Sequence, residues 1–287
     1  MLGSPGIFWL AVPWHGGSRT GIGARRISSM YTESAAWYDR LHRNKNYAAE
    51  SQRIVGHVRR LRPNARTLLD VACGTGGHLQ HLRTEFTCEG VDVEGGLLEV
   101  ARPRLPDVPL TQADMTDFDL GRRFDVVTCL YSAIGYVRTV DRMRAALRCM
   151  ARHLEPGGVL IVEPWIQPDS VVDVEDRWVD GSSAVVVIED DDLKLVRVRV
   201  FRSYGSMSEL TMHYVAARDG EIVSGTERHR VAMFTREEFF AAAEAAGLAA
   251  RWCCDGLTGR GLLIGVRTAE PSADRELPTA PGTHTSV

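Results

Sequence analysis

The sequence predicts an α/β protein: a parallel sheet covered on both faces by helices, with a small antiparallel sheet inserted late in the chain. Three observations carry this. Short apolar runs at 67–71, 87–91, 110–113, 124–130 and 158–163 alternate with stretches of helical periodicity, the pattern of parallel strands joined by helices. The first run passes into Ala72-Cys-Gly-Thr-Gly-Gly77, a small-residue turn that opens a helix. The carboxyl end of a parallel strand is where such sheets bind nucleotide-like ligands. Beyond Pro164 the pattern changes to alternating runs rich in Val, Thr, Arg and Tyr, separated by turn signals, which reads as antiparallel sheet.

Composition sets the bounds. A chain of 287 residues with 44% hydrophobic and 25% charged side chains suits one large globular domain or two modest ones. The formal net charge of −3 leaves no basic surplus to grip a phosphate backbone, so nucleic acid is not an expected partner. None of the six cysteines falls in a CxxC or Cys/His metal spacing, and no metal is expected. Several lie in apolar runs, as small buried thiols do, which points to a reducing cytoplasm. No stretch approaches the ~20 apolar residues of a membrane span, and no membrane partner is expected. Residues 1–29 read unlike the rest: the apolar run Ile7 to Val12 is short, and no basic residue precedes it. As a signal peptide it fails, and the segment is expected to be a disordered extension or sequence upstream of the true start.

The elements follow in order. Tyr31, Trp37, Tyr38, Leu41 and Tyr47 precede a helical pattern through Ile54, Val55, Val58 and Leu61, broken by Pro63. The aromatics form either the packed face of a leading helix or a lid over a ligand. After the strand Thr67 to Val71 and its glycine turn, Leu79, Leu82 and Phe86 mark the apolar face of a helix. At Gly74 and Gly76 the missing Cβ lets a ligand lie against the backbone. Thr87 to Val91 is a second strand ended by Asp92, with a helix at Gly95 to Ala101. An acid about 20 residues past the glycine turn is placed to accept both hydroxyls of a ribose. Leu110 to Ala113 is a third strand running into Asp114-Met115, where a carboxylate can meet an adenine amine and the thioether can cover the ring. Phe124 to Leu130 is a continuous apolar run, the mark of a central strand. It enters the loop Tyr131-Ser-Ala-Ile-Gly-Tyr136. A helix at 139–154 and a fifth strand from Gly158 to Glu163 complete the series. Strands at Val185–Ile188, Leu193–Tyr204, Ser208–Ala216 and Glu221–Met233 build the inserted sheet, expected to roof the substrate. A helix at Glu237 to Ala246 and strands at Ala249–Cys254 and Leu262–Val266 close the domain. Residues rich in Pro, Ser and Thr form a disordered tail.

A nicotinamide dinucleotide would need G-x-G-x-x-G and a pyrophosphate cradle. Here Leu79 takes the third glycine position. The glycine turn, Asp92 and Asp114-Met115 suit a ligand without phosphates, namely S-adenosylmethionine. Asp70-Val-Ala-Cys-Gly-Thr-Gly76 resembles motif I of the class I S-adenosylmethionine-dependent methyltransferases. The resemblance covers roughly residues 30–267. It extends to Tyr47-Ala-Ala-Glu50, Asp114-Met-Thr-Asp-Phe118, Ile134-Gly135, Val162-Glu-Pro-Trp165 and Gly259-Arg-Gly-Leu262. In these pieces the chain resembles the TDP-3-amino-deoxysugar N,N-dimethyltransferases of macrolide sugar biosynthesis.

The resemblance implies a Rossmann-like class I methyltransferase fold carrying an inserted antiparallel β-sheet roof. It divides the chain into 30–165 plus 235–267 for the methyltransferase domain, 166–234 for the roof, and a tail at 268–287. It implies a cofactor shell of Tyr38, Tyr47, Ala72, Gly74, Asp92, Asp114 and Met115. Tyr31, Glu163, Trp165 and Arg260 line the substrate side, with Arg260 facing a nucleotide diphosphate, and Tyr31 and Tyr136 stand nearest the chemistry. Tyr136 takes a place where the family tends to carry histidine. A phenol there orients an amine or marks another acceptor such as a hydroxyl. The expected activity is N-methylation or N,N-dimethylation of a nucleotide-linked amino sugar. The alternatives are N- or O-methylation of another small specialised metabolite, and a binding module without turnover. A homodimer stays open. His213 and His229, on roof strands, read as structural or solvent-facing.

Overall fold

Thr67–Val71 (β1) lies near the middle of a seven-stranded sheet, where Leu68 and Leu69 point to opposite faces and four of its five residues are buried. The structure, a computed structural model, describes residues 34–168, 183–218 and 220–268. The expectations for residues 1–29, for Tyr31, for the tail beyond 268 and for part of the roof lie outside the described residues.

The other strands of this sheet are Thr87–Asp92 (β2), Leu110–Gln112 (β3), Phe124–Cys129 (β4) and Leu154–Val162 (β5), with Leu248–Cys253 and Leu262–Arg267 closing it. Four antiparallel strands intervene in the chain: Ser183–Glu189 (β6), Lys194–Tyr204 (β7), Met207–Arg218 (β8) and Glu221–Ala232 (β9). The closing pair is therefore β10 and β11. The order across the large sheet is β10-β11-β5-β4-β1-β2-β3. β1, β2, β3, β4 and β5 pair in parallel, while β11 runs antiparallel to both β5 and β10. The strand order reverses between β1 and β4, and the crevice above that point is the ligand position of an open α/β sheet.

The helices are Tyr38–Leu41 (α1), Tyr47–Leu61 (α2), Leu79–Leu82 (α3), Gly95–Ala101 (α4), Val140–Arg152 (α5) and Arg236–Ala245 (α6). On one face Leu68, Val126, Val159 and Ile161 pack with Ile54 and Val58 of α2 and with Leu79 and Leu98. On the other, Leu69, Val127 and Leu160 pack with Met143, Leu147 and Met150 of α5 and with Phe239 of α6. Capping fixes where the long helices begin. Asn46 Oδ1 accepts from Ala49 N, Thr139 Oγ1 from Arg142 N, and Thr235 forms a capping box with Glu238.

β6 to β9 form the second sheet, all neighbours antiparallel. Its inner face carries Leu195, Phe201, Leu210, Tyr214 and Val231, packed against Leu41, Trp37 and Trp165. Strand parity sends Val185, Val187, Val196 and Val215 outward, where they are exposed. The insertion thus covers the carboxyl edge of the large sheet, as the change of pattern after Pro164 predicts.

Candidate active site

The carboxyl ends of β1, β2 and β4 open into one cavity of about 520 Å³. β1 delivers Asp70 and then turns sharply. Ala72, Gly74 and Gly76 all have positive φ, of 60°, 56° and 76°. A side chain at Gly76 would put its Cβ 2.4 Å from Leu105 Cδ1, so the turn is closed against α4 and its extension. The end of β2 supplies Asp92. Its Oδ2 accepts from Gly74 N at 2.7 Å and its Oδ1 from Glu94 N at 2.8 Å, so the acid braces the glycine turn while it faces the cavity. Burial raises the Asp92 carboxyl above its ordinary range despite these backbone donors. Asp70, also on the cavity wall, accepts from Thr128 Oγ1 at 2.7 Å, and burial pushes it up to about 6.

The loop after β4 forms the next wall. Tyr131 and Ser132 take left-handed conformations, with φ of 53° and 66°, which cost non-glycine residues about 1–3 kcal/mol each. The fixing groups come from β5 and from the loop between β10 and β11. Glu163, fully buried, accepts from Tyr131 N at 2.8 Å and from Thr258 Oγ1 at 2.6 Å. Ser132 Oγ donates to Pro164 O and accepts from Arg260 Nη1 at 2.9 Å. The Arg260 guanidinium lies 5.0 Å from the Trp165 ring centroid and 5.7 Å from that of Tyr131.

The leading helices close the near side. Tyr38 and Tyr47 line the cavity, and burial raises both phenols well above their ordinary value. Asp39 accepts from Thr75 Oγ1 at 2.7 Å and pairs with Arg104, which ties α1 to the glycine turn. Beneath Tyr47 a buried trio joins Lys45, Glu50 and His78, with His78 Nε2 2.8 Å from Glu50 Oε2. Burial works against ionisation of Glu50, but His78 and Lys45 outweigh it and hold the carboxyl low. The roof closes the far side with Arg197, Arg199, Leu210, Met212 and Tyr214.

Of the residues singled out in the sequence, Tyr38, Tyr47, Ala72, Gly74, Asp92, Met115, Tyr136, Trp165 and Arg260 all line this cavity. Asp114, expected in the cofactor shell, is exposed and, unlike its neighbour Met115, is not among the residues that line the cavity. It accepts from Thr116 N and Thr116 Oγ1 at 2.8 Å and pairs with Arg142, which holds its carboxyl low although partial burial acts the other way. Glu163 meets the cavity through the loop it anchors. Asp70, in the glycine-turn motif, lines the cavity, as do Arg197 and Arg199, which no motif marks. His229, expected to be structural or solvent-facing, is buried, with Nδ1 2.9 Å from the Tyr136 hydroxyl. The same parity that buries Leu195 and Phe201 turns Arg197 and Arg199 inward, away from the face of Val196, Val198 and Val200.

The donor set fits S-adenosylmethionine. Two carboxylates at one end suit a ribose and a cationic amino-acid tail. α3 spans only Leu79–Leu82, and no phosphate cradle opens at its start. Among the described residues no group of His, Cys, Asp and Glu is arranged to hold a metal, and no helix is long and apolar enough to cross a membrane.

Comparison with known proteins agrees. A family profile described as a methyltransferase domain matches residues 68–158. The dTDP-4-amino-2,3,4,6-tetradeoxy-D-glucose N,N-dimethyltransferase of Saccharopolyspora spinosa is 39% identical over 244 residues, covering 84% of this chain and 95% of that protein. The dTDP-3-amino-3,4,6-trideoxy-alpha-D-glucopyranose N,N-dimethyltransferase of Streptomyces venezuelae is 40% identical over 228 residues, 79% of this chain and 93% of that one. Among solved structures, a sugar N-methyltransferase from Streptoalloteichus superposes with a TM-score of 0.78 at 36% identity, covering 90% of this chain and 100% of the other. An amino pentose methyltransferase from Micromonospora echinaspora, solved with S-adenosylmethionine bound, gives 0.71 at 36% identity, covering 85% and 100%.

The strand order, the crevice at its reversal and the acids that line it define a Rossmann-like class I S-adenosylmethionine-dependent methyltransferase. Within that class the likeness runs over nearly the full length of the relatives. The chain belongs to the nucleotide-linked amino-sugar N,N-dimethyltransferases, and S-adenosylmethionine is its methyl donor.

Proposed function

We propose that the chain methylates the amine of a nucleotide-linked amino sugar, once or twice. The observation that carries this reading is the polarity of the cavity. Its acids, Asp70, Asp92 and Glu94, come from the ends of β1 and β2 and the start of α4, whereas Arg197 and Arg260 face it from the roof and from the loop before β11. The Arg197 Nε is buried and has no hydrogen-bond partner among the described residues. A buried guanidinium N–H left so calls for an anionic acceptor, and a nucleotide diphosphate supplies one. The relatives are named for dTDP-linked amino sugars.

When bound, S-adenosylmethionine supplies a methyl group made electrophilic by its sulfonium. The chain's residues do the rest. Asp92 would accept from the ribose hydroxyls, Met115 would cover the adenine, and Asp114, next to Met115 in the chain, would meet its amine. Tyr38, Tyr47, Ala72 and Gly74 wall the donor, and Arg260 and Arg197 hold the acceptor's phosphates. Trp165 and Tyr131, the latter fixed by Glu163, form the wall beside the sugar. Holding nitrogen, methyl carbon and sulfur in line supplies most of the acceleration in such a displacement. Tyr136, on the wall beside the acceptor, orients the nitrogen. The test is incubation of the full-length protein with S-adenosylmethionine and a TDP-linked 3-amino or 4-amino deoxysugar, read by mass spectrometry. A gain of one or two methyls on nitrogen supports the reading. Methylation confined to oxygen, or none with the donor still bound, rejects it.

A further inference from the structure

We propose that Glu227 and His229 fix the direction of the Tyr136 hydroxyl and receive, through it, the proton that the acceptor amine must lose. This rests on the amine-acceptor reading above. The loop carrying Tyr136 is pressed onto β9: a Cβ on Gly135 would lie 2.3 Å from Val231 Cγ1 and 3.0 Å from the Ala232 carbonyl oxygen. That close approach brings the Tyr136 hydroxyl to 2.9 Å from His229 Nδ1. The other ring nitrogen, Nε2, lies 3.5 Å from Glu227 Oε2. Glu227 is fixed from two further directions, by Ser34 Oγ at 2.9 Å and the Tyr214 hydroxyl at 3.0 Å. His229 is 1% exposed and Glu227 4%.

Chemistry assigns the protons. At 3.5 Å Glu227 is within ion-pair reach of Nε2 without a well-formed hydrogen bond, and its negative charge favours the neutral imidazole's hydrogen on Nε2, which leaves Nδ1 as an acceptor. The phenol then donates to Nδ1 and keeps its oxygen as an acceptor, and Tyr136 lines the cavity. Burial opposes the Glu227 charge, but His229, Ser34 and Tyr214 outweigh it and hold the carboxyl below its usual range. A protonated amine has no lone pair with which to attack a methyl carbon. Its N–H bond breaks toward the Tyr136 oxygen while the Tyr136 O–H proton passes to His229 Nδ1. The amine becomes neutral, the phenol is regenerated, and the proton rests as imidazolium beside the Glu227 carboxylate until it passes to water. Tyr136 is then a catalytic residue, and His229 and Glu227 are positioning residues that act through it.

The described groups that bear on this titration are Glu227 and Tyr214 beside it, Arg197 facing Tyr214, Glu94 facing both His229 and Glu227, and Tyr38 facing Tyr136. The experiment compares wild type with Glu227→Gln, His229→Gln and Tyr136→Phe, all full-length. In the ligand-free protein, nitrogen-15 NMR of the imidazoles should show His229 with its hydrogen on Nε2, and Tyr136→Phe should shift its Nδ1 signal. In turnover, Glu227→Gln should move the acid limb of the kcat profile by about one pH unit, because imidazolium loses its carboxylate. Tyr136→Phe should lower kcat at least about tenfold. Donor affinity should hold in every variant. A hydrogen on Nδ1, or a Glu227→Gln variant that loses stability yet keeps the wild-type pH profile, overturns the proton route alone. Wild-type protein that methylates no amine overturns the amine reading itself, whatever the NMR shows.

Discussion

Asp70, buried, and His42, half-buried, are two groups whose titrations oppose each other. Burial raises Asp70 to about 6 from 3.8, so the folded state binds its proton more tightly. Stability from this group therefore falls as pH rises from 3.8 to 6. Burial lowers His42 to about 4 from 6.5, against the pull of the Tyr38 carbonyl. The unfolded chain binds that proton more tightly, so stability rises with pH between 4 and 6.5. The two windows overlap and largely offset. Asp70→Asn, which keeps an acceptor for Thr128, removes one side. Its melting temperature without ligand should exceed wild type at pH 7.5 and fall more steeply on acidification to pH 5. Parallel melting profiles would place Asp70 at an ordinary carboxylate value. Asp92 is a separate case, since its carboxylate braces Gly74 as well as facing the cavity. Asp92→Ala should weaken donor binding by about 2 kcal/mol or more, as charge-assisted bonds are lost. Isothermal titration calorimetry measures it, and an unchanged affinity would remove Asp92 from the site.

The loop at 131–138 shows how an element is placed by contacts that sequence does not display. Gly135→Ala would force a Cβ against a backbone carbonyl oxygen that cannot yield by rotating. We expect a loss of about 1–3 kcal/mol by denaturant melting, with the Tyr136 ring moved off His229. A variant as stable as wild type would mean that the loop is not held against β9. The parallel strands were legible because strands buried on both faces read as continuous apolar runs, and β1 and β4 follow the sequence closely. The helix expected through Leu79, Leu82 and Phe86 is a single turn, because its apolar residues are satisfied by the core without further helical backbone. β5 begins at Leu154, earlier than the glycines at 157 and 158 suggest, since Phe124 already pairs with Leu154 across an irregularity in β4. The glycine turn, Asp92 and Arg260 could be read because each belongs to a local motif. Arg197 and His229 could not be placed, because alternation divides a strand into two faces without saying which one meets the ligand.

At the scale of the whole molecule, the cavity exists only where the two sheets meet. Arg260 comes from the large sheet's last connection and Arg197 from β7 of the roof. α1 spans the junction: Asp39 holds the glycine turn through Thr75 and Arg104, and Arg40 reaches Asp192 in the turn between β6 and β7. The Arg40 pair is exposed, and such pairs contribute only about 0–1 kcal/mol, so the sheets are held chiefly by apolar packing of Leu41 and Trp165. If the two guanidinium groups grip one diphosphate, they do so from opposite sides of this junction, and each depends on the other to fix the same anion. Arg197→Ala and Arg260→Ala should each raise KM for the nucleotide sugar roughly tenfold, in line with about 1.5–3 kcal/mol for a bond to a charged group. Donor affinity should be spared in both. The double variant should depart from the product of the single effects by about 0.5 kcal/mol or more, as residues sharing a partner do. Strictly multiplicative losses would put the arginines on separate anions, and the roof would then cover the acceptor without gripping its phosphates.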